Sequence, residues 1–153
     1  MTPAEQVVAR LRERRLTIGT AESLTGGRVV AALVDVPGAS AVVRGGLVAY
    51  ATDLKQSVLG VDAELLRMHG AVHPEVARQM AAGARRVLSA DVGISTTGIA
   101  GPASPDGQPV GTVHIGIATA DGIRVLSLRL TGDREQVRAE SVRRALAAVG
   151  EAI

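Results

Sequence analysis

Three side chains in AESLTGGRV, residues 21–29, carry groups that react or hold a proton: the Glu22 carboxylate and the hydroxyls of Ser23 and Thr25, set before the glycine pair Gly26 and Gly27 and between two apolar runs. The stretch is too short for a linker and too polar for a core. It either caps a helix, as Ser, Thr and Gly commonly do, or presents a reacting group. A second stretch, YATDLK, places Lys55 in the first turn of a helix expected to start at Thr52 or Asp53. A cation at a helix N-terminus is disfavoured by about 0.3 to 1 kcal/mol, which moves the lysine toward its neutral form, and burial acts in the same direction. A neutral lysine is a base that can take the proton of a serine hydroxyl, a known variant of nucleophile activation. For this to operate near neutral pH the lysine pKa must fall by about 3 from its usual value, a differential cost of about 4 kcal/mol that only a buried, preorganised site provides. A helix-capping serine and a solvated surface lysine are the plainer readings of the same residues.

The elements that must position these groups alternate short β-type runs with helical patterns, which points to an α/β fold. Residues 3–15 read as a helix and 16–20 as a strand feeding the AESLTGG loop; 26–36 continue as a helix that Pro37 and Gly38 stop. A strand over 45–51 precedes the Lys55 helix, which ends at Gly60, and Asp62 caps another that Gly70 closes. In HPEVARQMAAGARRVL, Pro74 suits a first helical position, and Val76, Met80, Ala84, Val87 and Leu88 recur at helical spacing. A strand over 92–97 runs into a glycine-proline loop through Pro109, and strands over 110–119 and 123–130 flank Asp121-Gly122, a dipeptide favoured in tight hairpins. A last helix, from about Asp133 to Val149, is expected to bury Val137, Val142, Ala145 and Leu146. Two loops rich in hydroxyls and glycine, AESLTGG and STTGIAGP, follow strands, and ligands of open α/β sheets bind beyond the carboxyl ends of strands. Both loops are therefore expected at one pocket, with the helix starting near Gly26 aiming its free N–H groups at a phosphate or an oxyanion.

Bulk properties narrow the chemistry. The 153 residues suit a single domain over 1–153, large enough to bury roughly two thirds of the unfolded chain's surface. With no Phe or Trp and Tyr50 as the one tyrosine, the core must be aliphatic, and with no Cys there is no thiol nucleophile, thiolate metal site or disulfide. No apolar run approaches the ~20 residues that span a bilayer, and no targeting segment is seen, so a cytoplasmic protein without membrane association is expected. The 17 basic residues nearly balance 15 acidic ones, and a basic stripe with stacking aromatics is missing, which argues against a nucleic-acid partner. Walker A and GxGxxG patterns are absent. Glu22 and Asp133 are solitary carboxylates on different elements, and His69 and His73 have a metal-like separation that Gly70 and Pro74 keep off a common helix; no metal is expected.

Taken in order, AESLTGG, GGLVAYATDLKQSVLGV, HGAV, TTGIAGP, PVGTV and TGDR resemble the CinA C-terminal domain family, the nicotinamide-nucleotide amidohydrolases, from about Thr17 to Val149. The resemblance implies a three-layer α/β/α sandwich around a mixed, mostly parallel sheet of five strands. It also implies hydrolysis of nicotinamide mononucleotide, a pyridine nucleotide, to nicotinate mononucleotide and ammonia, with no cofactor and no metal. Carried over by motif, Ser23 is implied as the nucleophile and Lys55 as its general base, with the hydroxyls of Tyr50 and Thr97 completing the hydrogen-bond network. Arg134 of TGDR resembles a substrate-binding arginine, whose fork of donors suits a phosphate. Backbone N–H groups of Thr25, Gly26 and Gly27, together with Gly98 in the second loop, complete the expected substrate contacts.

The chain also departs from the family pattern. Leu24 stands where many members have Cys, His73 replaces a frequent serine, and ASPDGQPVG lacks the glycine pair and the lysine common before PVGTV. The N-terminal domain resembling molybdopterin-binding proteins that occurs in fused members is not seen, which suggests the stand-alone form. The aliphatic helices are compatible with a homodimer. The alternative to an enzyme is a non-catalytic nucleotide-binding or interaction module that keeps the pocket without turnover.

Overall fold

The computed structural model describes residues 1–104 and 107–153; part of the ASPDGQPVG loop, residues 105–106, lies outside the described residues. The elements run α1 (Pro3–Arg14), β1 (Ile18–Glu22), α2 (Arg28–Val34), a 3₁₀ turn (Ala39–Ala41), β2 (Val43–Val48), α3 (Thr52–Ser57), α4 (Ala63–His69), α5 (Pro74–Leu88), β3 (Val92–Gly98), β4 (Thr112–Thr119), β5 (Gly122–Arg129) and α6 (Arg134–Ala152). The five strands form one sheet in the order β2-β1-β3-β4-β5.

The sheet is mixed but not mostly parallel. β1 pairs in parallel with β2 and β3, whereas β3–β4 and β4–β5 are antiparallel. The connections account for this: β1 to β2 and β2 to β3 run through helices, as crossovers between parallel strands require, but among the described residues no helix intervenes between Gly98 and Thr112, so β4 returns beside β3 and a tight turn adds β5.

Strand alternation sorts the inner residues between two helical layers. On one face Ile18, Val92, Ile94, Val113, Ile115 and Ile117 pack with α1, α2 and α6 through Val7, Leu11, Leu33, Val137 and Val149. Each fully buried aliphatic side chain of this kind contributes roughly 1.5–3 kcal/mol. The other face is built from small residues, and α5 lies close on it. A Cβ on Gly93 would sit 2.2 Å from the Ala81 carbonyl oxygen, and one on Gly116 would sit 2.3 Å from that of Ala77. In the space so left, the Ser95 hydroxyl donates to the Ala77 carbonyl at 2.6 Å.

Several boundaries differ from those expected. α1 ends at Arg14 because Arg15 turns left-handed, and β1 starts at Ile18 and reaches Glu22, two residues later than expected at both ends. α2 starts at Arg28, since Gly26 and Gly27 have positive φ, and it ends at Val34. β2 ends at Val48 instead of Ala51, and neither Thr52 nor Asp53 caps α3, whose N-cap is Ala51 with no side-chain bond. Val87 is exposed and Val142 is only half-buried. Pro74, Asp62 and Asp133 take the expected places: Pro74 opens α5, the Asp62 carboxylate accepts from the Glu64 N–H at 2.7 Å, and Asp133 caps α6 by accepting from the Gln136 N–H at 2.9 Å. Among the described residues no helix is long and apolar enough to cross a membrane.

Candidate active site

The register of the three parallel strands brings distant parts of the chain to one rim. Glu22 lies opposite Val48 of β2 and Thr96 of β3, so Ser23, Ala49 and Thr97, one residue further on, are neighbours at the carboxyl ends of the strands. A cleft of about 340 Å³ opens there, lined by Ser23, Leu24, Tyr50, Thr52, Lys55, Gly70, Ala71, Val72, Thr97, Gly98, Ile99, Ala100, Gly101, Ala103 and Arg134. Among the described residues no carboxylate belongs to this lining, while two cations do.

Lys55 is 1% exposed, and its Nζ lies 2.9 Å from Ser23 Oγ, 2.8 Å from the Ala49 carbonyl oxygen and 3.0 Å from that of Tyr50. Those carbonyls are available because β2 stops at Val48, before its last residues join the ladder. The three partners have a chemical consequence. As an ammonium, Lys55 donates to all three oxygens. As a neutral amine it keeps its two N–H groups on the carbonyls and turns its lone pair toward Ser23 Oγ, the orientation in which it accepts the serine proton. Burial pulls the lysine pKa down from 10.5 to about 8. The cause differs from the one expected at a helix start: α3 is six residues long with Lys55 fourth in it, and desolvation supplies the shift. One compositional signal points at the same residue, since Lys55 is the only lysine and the other 16 basic residues are arginines. Arginine cannot deprotonate in a protein, whereas lysine can.

Ser23 is 8% exposed and is held from both sides: its N–H donates to the Thr96 carbonyl at 3.1 Å, and its own carbonyl accepts from the Gly26 N–H at 3.0 Å. Glu22 has a structural task. Its carboxylate, 1% exposed, accepts from the N–H groups of Gly27 at 3.1 Å, Val29 at 2.8 Å and Val30 at 3.0 Å, and from the hydroxyls of Thr25 at 2.7 Å and Thr20 at 3.2 Å. It therefore fills the N-terminus of α2 from the end of β1, where a negative charge is favoured. The Thr25 hydroxyl continues to that of Thr96 at 2.8 Å, tying the serine loop to β3.

The other residues singled out in the sequence are distributed as follows. Thr97 and Gly98 line the cleft, but the Thr97 hydroxyl donates to the Ala71 carbonyl at 2.8 Å and does not bond Ser23 or Lys55. Tyr50 meets Lys55 through its main-chain carbonyl; its ring is 59% exposed at the cleft mouth, where its hydroxyl accepts from Arg134 at 3.3 Å. Arg134 also donates to the Gly101 carbonyl at 2.8 Å, and it lines the same cleft as Lys55. Thr25, Gly26 and Gly27 do not line the cleft, and the N–H groups of Gly26 and Gly27 are taken by the Ser23 carbonyl and Glu22. The rings of His69 and His73 are 4.6 Å apart, and His73 caps α5 by accepting from the Glu75 N–H at 3.1 Å. Among the described residues no group of three or more His, Asp or Glu side chains is placed to hold a metal ion. Contacts not anticipated from the sequence are the two lysine acceptors at Ala49 and Tyr50, the Thr96 hydroxyl, and Arg138, which donates to the Leu24 carbonyl at 2.8 Å.

The model of the CinA C-terminal domain matches residues 1–153. The chain belongs to this family. A CinA-like protein of Frankia casuarinae is 51% identical over 140 residues, covering 92% of this chain and 32% of its own length. A putative competence-damage inducible protein of Caldanaerobacter subterraneus is 46% identical over 140 residues, covering 90% of this chain and 34% of its own length. The chain thus spans about a third of the length of these curated relatives. Among solved structures, a competence-damaged protein superfamily protein of Klebsiella pneumoniae superposes with a TM-score of 0.94 at 37% identity, over 97% of this chain and 94% of the other. One from Escherichia coli superposes with a TM-score of 0.95 at 33% identity, over 99% and 88%.

Proposed function

We propose that the chain hydrolyses the carboxamide of nicotinamide mononucleotide, giving nicotinate mononucleotide and ammonia through an acyl-enzyme on Ser23. The observation that carries this reading is the buried Lys55 amine 2.9 Å from Ser23 Oγ, with its other two directions held by main-chain carbonyls. Ser23 Oγ attacks the carboxamide carbon while neutral Lys55 accepts the hydroxyl proton. The tetrahedral intermediate collapses as the lysine ammonium returns that proton to the leaving nitrogen, which departs as ammonia. Water then attacks the acyl-enzyme ester with Lys55 again taking a proton, and Ser23 leaves with the proton restored.

The rest of the cleft supports the substrate class. Among the described residues its lining holds two cations and no carboxylate, which suits an anion, and Arg134 carries a fork of N–H donors that fits a phosphate. Lys55 is bonded to Ser23 and the Ala49 and Tyr50 carbonyls, whereas Arg134 is bonded to the Gly101 carbonyl and the Tyr50 hydroxyl, and two cations with different partners suit a molecule that carries both an amide and a phosphate. Membership of the family and the resemblance of its motifs to nicotinamide-nucleotide amidohydrolases point the same way. The test is ammonia release from nicotinamide mononucleotide by the wild type and by Ser23→Ala. Release by the wild type that falls to background in the variant is expected. Release unaffected by the substitution contradicts the nucleophile assignment, and wild-type binding without hydrolysis favours a non-catalytic nucleotide-binding module.

A further inference from the structure

We propose that Arg138 is a positioning residue for this hydrolysis, holding the turn after Ser23 so that the N–H of Leu24 receives the oxyanion. The inference rests on the reading of Ser23 as the nucleophile and goes beyond it to the groups that stabilise the developing charge. The turn closes through the Gly26 N–H on the Ser23 carbonyl at 3.0 Å. Its central carbonyl, that of Leu24, accepts from Arg138 Nε at 2.8 Å, and Arg138 Nη2 reaches the Thr25 carbonyl at 3.5 Å.

In a trans peptide the N–H points opposite to the C=O of the same plane. The Ser23 carbonyl on the Gly26 N–H therefore turns the Leu24 N–H away from it, and Arg138 on the Leu24 carbonyl holds the next peptide plane of the same turn. The Leu24 N–H has no partner among the described residues, whereas those of Gly26 and Gly27 do. The Leu24 side chain is packed in the aliphatic core, yet Leu24 lines the cleft beside Ser23. The N–H of the residue following a nucleophile is a recurrent oxyanion donor, because it lies near the atom that the attacked carbonyl carbon approaches.

Two features of the chain serve the arginine. Gly26 has φ +59, and a Cβ there would lie 3.1 Å from Arg138 Nη2, so glycine leaves room for the guanidinium. Arg134 and Arg138 are four residues apart on α6 and share one face; the first reaches the cleft mouth and the second the nucleophile turn. The free side of Arg138 meets Glu135 at 4.0 Å, and that carboxylate is itself held by Arg28.

The experiment compares wild type, Arg138→Ala and Arg138→Lys in ammonia release from nicotinamide mononucleotide, with thermal melts recorded for each. Arg138→Ala is expected to lower kcat by about ten- to a hundred-fold with KM changed less than about three-fold, the range set by a misplaced reacting geometry. Arg138→Lys is expected to recover part of kcat, and added guanidinium ion to restore part of it in Arg138→Ala but none in Ser23→Ala. An unchanged kcat, a change in KM alone, or a loss that neither lysine nor guanidinium relieves overturns the role of Arg138 while leaving Ser23 as nucleophile. A wild type without Ser23-dependent release overturns the reading on which the role rests, and the role with it.

Discussion

Replacing Lys55 by methionine separates the cost of burying its charge from everything else the residue does. Burial lowers the lysine pKa from 10.5 to about 8. At about 1.4 kcal/mol per tenfold change in proton affinity, the folded chain holds the charged form at a cost of about 3 kcal/mol. Proton counting gives the sign. Between pH 8 and 10.5 the unfolded chain keeps a proton on Lys55 that the folded chain has released, so this group's contribution to stability improves as pH rises through that window. Below the window both states carry the proton and the full penalty applies. Methionine removes the penalty but leaves the Ala49 and Tyr50 carbonyls without a donor, at about 1 to 3 kcal/mol each where water does not replace it. The sign of the difference at pH 7 is therefore a contest, but its pH dependence is not. Relative to wild type, Lys55→Met loses about 3 kcal/mol of stability between pH 7 and pH 10.5, as read from urea unfolding of both proteins at a series of pH values. Parallel stability curves over that range refute the argument, since they mean that the lysine has the same proton affinity folded and unfolded.

In the proposed mechanism the same lysine governs the rate. With a pKa of about 8, kcat/KM rises about tenfold per pH unit below that value and levels above it, so that the rate at pH 7 is about a tenth of the plateau; a profile flat from pH 6 to 9 contradicts Lys55 as the base. Arg134→Ala raises KM for the nucleotide by about tenfold or more with little change in kcat, and leaves hydrolysis of the corresponding nucleoside, which lacks the phosphate, unchanged; equal losses on both substrates argue against a phosphate contact. Gly93→Ala destabilises the fold by about 1 to 3 kcal/mol in urea unfolding, because its Cβ would meet the Ala81 carbonyl oxygen at 2.2 Å; wild-type stability contradicts the tight seating of α5.

What was legible beforehand follows from where the information sits. Side chains that act locally leave a mark: Asp62, Pro74, Asp133 and Asp121-Gly122 each satisfy or shape the backbone within a few residues, and their elements lie where expected. Pairing across the sheet leaves a weaker one. The glycine-proline composition of the segment between β3 and β4 was the available sign of an antiparallel return, which limits the parallel part of the sheet to two pairs. At the site, Ser23, Lys55 and Arg134 are brought to one cleft. What the sequence hid are the contributions made through the main chain. The carbonyls of Ala49 and Tyr50 exist at any residue, so nothing in their identity marks them as lysine acceptors. Glu22 looked like a reactive carboxylate beside Ser23, but it closes a helix that begins several residues later, a reach that adjacency in sequence does not reveal.

Because Lys55 is the only lysine in the chain, labelling lysine with ¹³C at Cε gives a single side-chain signal whose chemical shift follows protonation without assignment. In the folded protein this signal is expected to titrate with a midpoint near 8, and to move when Ser23→Ala removes the hydroxyl oxygen 2.9 Å from Nζ. A midpoint near 10.5, the value of an ordinary exposed lysine, with no response to Ser23→Ala, would contradict the pairing of these two groups.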